Sequence, residues 1–308
     1  MPAADEVSRL QRVDTPEGRY FRVLAEQGHY AGRTTPTDTR QGIYAAAPSG
    51  RLLASINTRS AEQMARMLRE ALAAWERLPD DERWLADEEL RGDPGRRDVE
   101  QYPEGGLALR AHYRDLPRDG AQDDWRADAR NRDYAWFKAD EAARFVPAET
   151  VGATREVDAA LLVRLARLHL VDIVRGQSHV YRPEHVERAA LTARVTAVED
   201  GALVLAFDGA VRLAEEGTWG VAGYHDMRKE EQRPQSRGFD GRLLGRGRWD
   251  VAAQRFTAFE LVALGTRWGG TRYNGRADDL APGAMGVAFV LAPPEEHVAP
   301  AAAWEYRW

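Results

Sequence analysis

The chain has 308 residues, 44% of them hydrophobic and 30% charged, a composition that can build a core and does not belong to a disordered chain. Its formal net charge of -6 argues against a nucleic-acid surface, and no run approaches the roughly 20 apolar residues of a membrane helix. It has no cysteine, which removes thiolate nucleophiles, disulfides, iron–sulfur clusters and cysteine zinc sites.

Lys138 and Lys229 are the only lysines, so Schiff-base chemistry has two candidates, and Lys229 lies in a charged run where desolvation is hard. The opening MPAADEVSRL is polar and lacks a signal-length apolar stretch. The protein is therefore expected to be either cytoplasmic or exported with its signal already removed.

Residues 4–29 read as helical, interrupted where Thr15 precedes Pro16. Residues 42–46 and 52–56 are short apolar runs around Pro48-Ser49-Gly50, the pattern of a hairpin. A helix follows, with Ser60 as N-cap, Gln63 completing a capping box and Pro79 as stop. Met64, Leu68, Leu72 and Trp75 recur at helical spacing and give it an apolar face.

This stretch, QGIYAAAPSGRLLASIN with the helix after it, resembles the C-terminal half of a thioredoxin-like domain. The resemblance covers one part of the chain and implies a partial unit. Without cysteine it implies a packing role and no redox activity. The domain division read from these patterns is 1–78 for the helical and hairpin unit, 79–154 for a linker with one strand near 107–113, and 155–308 for a helix plus a β-domain.

Residues 155–176 form the second strong helix, with Gly176 as its C-cap. From 186 to 292 the chain reads as all-β, with about five or six strands expected in an antiparallel barrel or a curved sheet. The fold class is therefore α+β. Asp208-Gly209 is read as a hairpin turn between 203–207 and 210–214, with one bulged strand as the alternative. Gly241, Gly245 and Gly247 sit inside a strand and indicate curvature or close packing. LARLHLVDIVRG and ELVALGTRWGGTRYN resemble segments of uncharacterised bacterial proteins, often exported, which implies a shared fold and no activity.

Two long loops, 215–239 and 266–284, are separated by two strands and so emerge at one end of a meander. They carry Trp219, Tyr224, His225 and Asp226 in one, and Trp268, Tyr273 and Asp278 in the other. Such a mouth is a ligand site or a pair of solvated loops with aromatics folded inward. On the helix, His169 lies opposite Arg164 and Arg167, with Asp172 three residues on. The pair is either a histidine oriented by a carboxylate for base or metal chemistry, or a satisfied core histidine with Asp172 paired to an arginine. His179 and His185, with Glu184 close by, could extend it into a divalent-metal site of His169, Asp172, His179 and His185, although no established zinc spacing is present.

Three functions follow. The first is a binding protein for a small ligand or metal at the mouth of the β-domain. The second is a metal-assisted hydrolase of esters or phosphoesters, with Glu184 or Asp226 as base beside His169 and Asp172. The third is an interaction module for a protein partner. Absent motifs argue against serine-hydrolase and nucleotide chemistry.

Overall fold

The computed structural model describes residues 7–12, 16–29, 40–58, 60–84, 102–117, 125–221 and 232–306. The chain divides into two units, Met1–Asp98 and Val99–Trp308.

The first unit contains α1 (Val7–Arg12), α2 (Pro16–Gln27), β1 (Ile43–Ala46), β2 (Leu52–Ile56), α3 (Ala61–Arg77) and the short α4 (Asp80–Arg83). Pro16 begins α2 at the position where a missing N–H costs nothing. β1 and β2 pair antiparallel through a turn in which Gly50 adopts φ +83°. The Ser60 hydroxyl accepts from the Gln63 N–H at 3.3 Å and starts α3. The Gln63 side chain does not return to Ser60 as a capping box would. It is bonded by Thr58 at 2.6 Å, and the Thr58 hydroxyl accepts from Ser60 N–H.

The face that α3 buries differs from the expected one. Met67 and Ala71 are buried, while Met64, Leu68 and Leu72 stay 38%, 49% and 58% exposed. The apolar arc of α3 is wider than the two-stranded sheet beside it. The strand–helix–strand that would complete a thioredoxin-like unit is not among the described residues.

The second unit is one open antiparallel sheet of eight strands. They are β3 (Leu107–Asp115), β4 (Arg130–Phe137), β5 (Thr154–Glu156), β6 (Val186–Glu199), β7 (Ala202–Trp219), β8 (Arg233–Asp250), β9 (Arg255–Trp268) and β10 (Gly283–Leu291). Their spatial order is β4-β3-β10-β9-β8-β7-β6-β5, so the sheet does not close into a barrel and β4 and β5 are its edges. The stretch 79–154, expected as a linker with one strand near 107–113, thus supplies β3, β4, the start of β5 and the helical turn α5 (Ala139–Ala143).

One face of the sheet follows strict alternation. Leu203, Leu205, Phe207, Val211 and Leu213 on β7 are buried on the same side as Phe239 and Leu243 on β8 and Leu261 and Ala263 on β9. The helix α6 (Ala159–His169) packs on that face through Leu161, Leu162 and Leu165. Two side chains from elsewhere in the unit meet edge β4 at Trp136, and a β4 side chain reaches out to a neighbouring carbonyl. The Trp136 N–H donates to the Tyr306 hydroxyl, Arg164 reaches the Trp136 carbonyl, and Asn131 donates to the Ile173 carbonyl. The bonded backbone groups of Trp136 are thereby unavailable for further strand pairing.

Two sequence expectations are corrected here. β7 is one continuous strand of 18 residues and Asp208-Gly209 lies in its middle, paired with Leu244 and Leu243. A turn would break this pairing, and the glycine is there for another reason: an added Cβ would overlap the Ala190 carbonyl of β6. The second correction is that α6 stops at His169, not at Gly176. Leu170, Val171 and Val174 are buried beyond its end, so the apolar spacing persists while the backbone leaves the helix.

Candidate functional site

Antiparallel order decides which segments meet. The β7–β8 and β9–β10 connections lie at one end of the sheet, and the stretch after α6 arrives there before β6 begins. Bonds tie these segments together. Trp219 donates to the Gly270 carbonyl at 2.8 Å, Gln177 N–H to the Tyr273 carbonyl at 3.0 Å, and Ser178 meets Thr271 at 3.1 Å. The connections are shorter than the sequence suggested, because β7 runs on to Trp219 and β8 begins at Arg233.

The apolar interior of the unit ends at this point in a layer of buried charge. Arg276 is fully buried and makes paired bonds to Asp172 (2.7 and 2.9 Å) and to Asp115 (2.8 and 2.7 Å). Arg267 bonds Asp279 at 2.6 Å, and Arg175 bridges Asp115 and Asp279 at 2.8 and 2.9 Å. Three arginines meet three carboxylates, so the cluster is neutral as a whole and each charge has opposite neighbours. Burial pushes the Asp115 carboxyl up, but Arg276, Arg175 and Arg267 hold it below its ordinary value. For Arg276, burial disfavours the charge and the two carboxylates more than restore it.

A second group sits beside this layer. Glu215 and Arg237 face each other across β7 and β8, and Arg237 Nε donates to Glu215 at 2.6 Å. Arg237 also holds Ser178 and the His179 and Val180 carbonyls, and lies 4.2 Å from the centre of the Tyr181 ring. His179 Nε2 and His185 Nδ1 each stand 3.8 Å from the same Glu215 oxygen. Burial raises the Glu215 carboxyl, but the facing His179 and Arg237 outweigh it and hold it at about 2. Arg237 is buried, His185 is partly covered and His179 is 56% exposed. The group is therefore a carboxylate anchored from inside, with imidazole at the surface.

The sequence-derived residues divide into those that join this end and those that do not. Trp219, Tyr273, Asp172, His179 and His185 belong to it. Asp278 is exposed and pairs with Arg126 at 2.8 Å. Trp268 lies on the opposite face of the sheet, packed over Gly238, with its indole N–H on Ser236 and Arg212 over its ring. Glu184 is exposed and faces Arg182 at 3.9 Å. Tyr224, His225 and Asp226 lie outside the described residues.

His169 does not share a site with Asp172. Its partners are Asp133 at 3.3 Å and the Tyr306 hydroxyl at 2.5 Å. The Asp133 carboxylate can only accept, so the imidazole Nδ1 donates to it; with the proton there, Nε2 accepts from the Tyr306 hydroxyl, whose oxygen accepts from Trp136 N–H. Asp133 in turn accepts from Ala301 N–H at 2.7 Å. All three side chains are buried, and the chain of bonds pins the C-terminal segment to the sheet. Burial, the largest effect on Tyr306, pushes its hydroxyl well above the ordinary value. Among the described residues, no three His, Asp or Glu side chains are placed to hold a metal ion, so the expected set of His169, Asp172, His179 and His185 is not assembled.

Sequence reasoning missed Arg276, Arg175, Glu215, Arg237, Arg267 and Asp115. A signal was present for two of them. Arg237 shares its strand parity with Phe239 and Leu243, and Arg267 with Leu261 and Ala263, so both arginines point inward where buried partners are required. No family model, curated protein or solved structure matches this chain. Fold and site define a mixed α+β protein with a large open antiparallel sheet and a polar, partly exposed cluster at one end.

Proposed function

We propose that this protein binds a small polar ligand at the loop end of its sheet, through His179, His185 and Glu215. The observation that carries this reading is the pair of imidazoles, each 3.8 Å from one carboxylate oxygen. The shared oxygen already accepts from Arg237, and His185 Nδ1 accepts from Arg182 N–H at 3.3 Å, so the capacity for a ligand hydroxyl or amine lies on the His179 ring, on His185 Nε2 and on the other Glu215 oxygen. Arg237 keeps Glu215 ionised and in place, so the acceptor is ready before the ligand arrives. The ring of Tyr273 is exposed on a segment whose backbone bonds that of Gln177, two residues before His179, and offers an apolar face nearby. The inner face of the sheet is filled by α6 and core side chains, so binding belongs to the end of the sheet and not to its interior. In this reading the hairpin and helix of the first unit are a redox-inert, partial thioredoxin-like piece that serves packing.

The test is a thermal-shift titration with hexoses, polyols, primary amines and carboxylic acids, on wild type and on His179→Ala, an exposed position that the fold tolerates. A saturable rise in the unfolding temperature with a hydroxyl- or amine-bearing probe, lost in His179→Ala, is expected. No shift with any class at millimolar concentration, or an undiminished shift in the variant, would overturn the assignment.

A further inference from the structure

The helix α3 leaves an apolar stripe exposed. At about 100° per residue, Met64, Leu68 and Leu72 span an arc of about 80°. That arc adjoins the buried Met67 and Ala71 but is itself exposed. Ala61 and Ala65 lie within or beside it. The seam is therefore small in its N-terminal half and large in its C-terminal half: Ala61 and Ala65, then Leu68 and Leu72. Read as a seam of heptad positions, Ala65 and Leu72 fall at one core position and Ala61 and Leu68 at the other.

We infer that α3 is the contact surface for a second copy of this chain, packed antiparallel about a two-fold axis. Two features of the sequence point to a copy and to that direction. When the helix is laid antiparallel on itself, Leu68 faces the partner's Ala65 and Leu72 faces the partner's Ala61. Each large side chain then meets a small one, and by symmetry the reverse contacts form as well. In the same register the flanking positions bring Glu62 opposite the partner's Arg69 and Arg69 opposite the partner's Glu62. Both residues are exposed at the border of the stripe. A parallel arrangement would set leucine against leucine and alanine against alanine, and would lose both reciprocal ion pairs. Size and charge thus select the same geometry, and an isologous contact needs no other molecule to supply the complement.

The experiment is sedimentation equilibrium of the full chain from about 1 to about 100 µM, a range that resolves dissociation constants of the same magnitude. Wild type is expected at twice the chain mass in the upper part of this range. Leu68→Glu, on an exposed position, is expected to weaken association at least tenfold. Glu62→Arg and Arg69→Glu are each expected to weaken it several-fold, and the double variant Glu62→Arg/Arg69→Glu to restore it, because the reciprocal pairs are rebuilt with their signs exchanged. A monomer throughout the range would overturn the inference. So would a dimer indifferent to Leu68→Glu, or a double variant no better than the singles. Circular dichroism of each variant keeps loss of folding distinct from loss of association.

Discussion

Arg276 grips Asp172 with two hydrogen bonds although 104 residues separate them in the chain. The same guanidinium holds Asp115 at the end of β3, so one side chain fastens the stretch after α6, the β9–β10 connection and a strand of the sheet. Removing it leaves buried carboxylates facing each other with too little positive charge, which costs more than the pairing itself supplies. Arg276→Met is therefore expected to destabilise the second unit by about 3–5 kcal/mol. Arg276→Lys should recover only a minor part, since an ammonium cannot form two forked pairs. Urea denaturation followed by tryptophan fluorescence measures both; a loss below about 1 kcal/mol for the methionine variant would mean that the cluster is solvated.

The pH dependence of stability follows from Glu215. Its carboxyl is held at about 2 in the folded protein, against an ordinary 4.5. The folded state thus binds this proton more weakly than the unfolded chain does. The stabilisation is complete above about pH 4.5 and is lost as the pH falls from there towards 2. Asp115, also held low, acts in the same direction. Unfolding temperature measured across this range should fall more steeply for wild type than for Glu215→Gln, whose curve starts lower because Arg237 has lost its counter-charge. Parallel curves would show that Glu215 contributes no pH-dependent term.

The histidine on α6 makes a separate prediction, because its role here is to hold the C-terminal segment. Tyr306→Phe removes the hydroxyl that accepts from Trp136 N–H and donates to His169 Nε2. Two buried polar groups are then left without partners, at a cost of about 1–3 kcal/mol each. Hydrogen exchange should rise first in residues 292–306 and at the edge strand β4, with the strands from β6 to β9 unchanged. Uniform exchange across the unit would contradict a local anchoring role.

The sequence carries the strands of the β region through burial parity: Leu203, Leu205, Phe207, Val211 and Leu213 line the buried side of β7, while Val204 and Ala206 between them are only half-buried. The hairpin of the first unit is equally legible from Pro48-Ser49-Gly50. What fails is arrangement at a distance. The apolar residues Leu170, Val171 and Val174 keep helical spacing although the backbone there is not helical, since burial alone sets their identity. His169 and Asp172 share a stretch of sequence and yet answer to Asp133 and Arg276, partners that only the sheet brings near. Glu215 was hidden because β7 is longer than its apolar core, and a carboxylate at the end of a strand looks like a loop residue until its cross-strand arginine is known.

Gly209 gives the sharpest test of that difference between local signal and tertiary cause. In a two-residue Asp-Gly turn the glycine takes a positive φ, and alanine there costs about 1–2 kcal/mol. In mid-strand the matter is space: an added Cβ at Gly209 would overlap the Ala190 carbonyl and crowd the Leu191 backbone. β6 and β7 would have to part at the centre of their pairing, where Ala190 faces Ala210 and Leu191 faces Gly209. Gly209→Ala is expected to cost about 2–4 kcal/mol, within the range for overpacking with backbone displacement. Gly152→Ala, with open space around its Cβ but φ of +85°, should cost only about 1 kcal/mol, the penalty of the backbone conformation. Chemical denaturation of the two variants side by side decides between the readings. A Gly209→Ala variant no more destabilised than Gly152→Ala would contradict the close mid-strand packing.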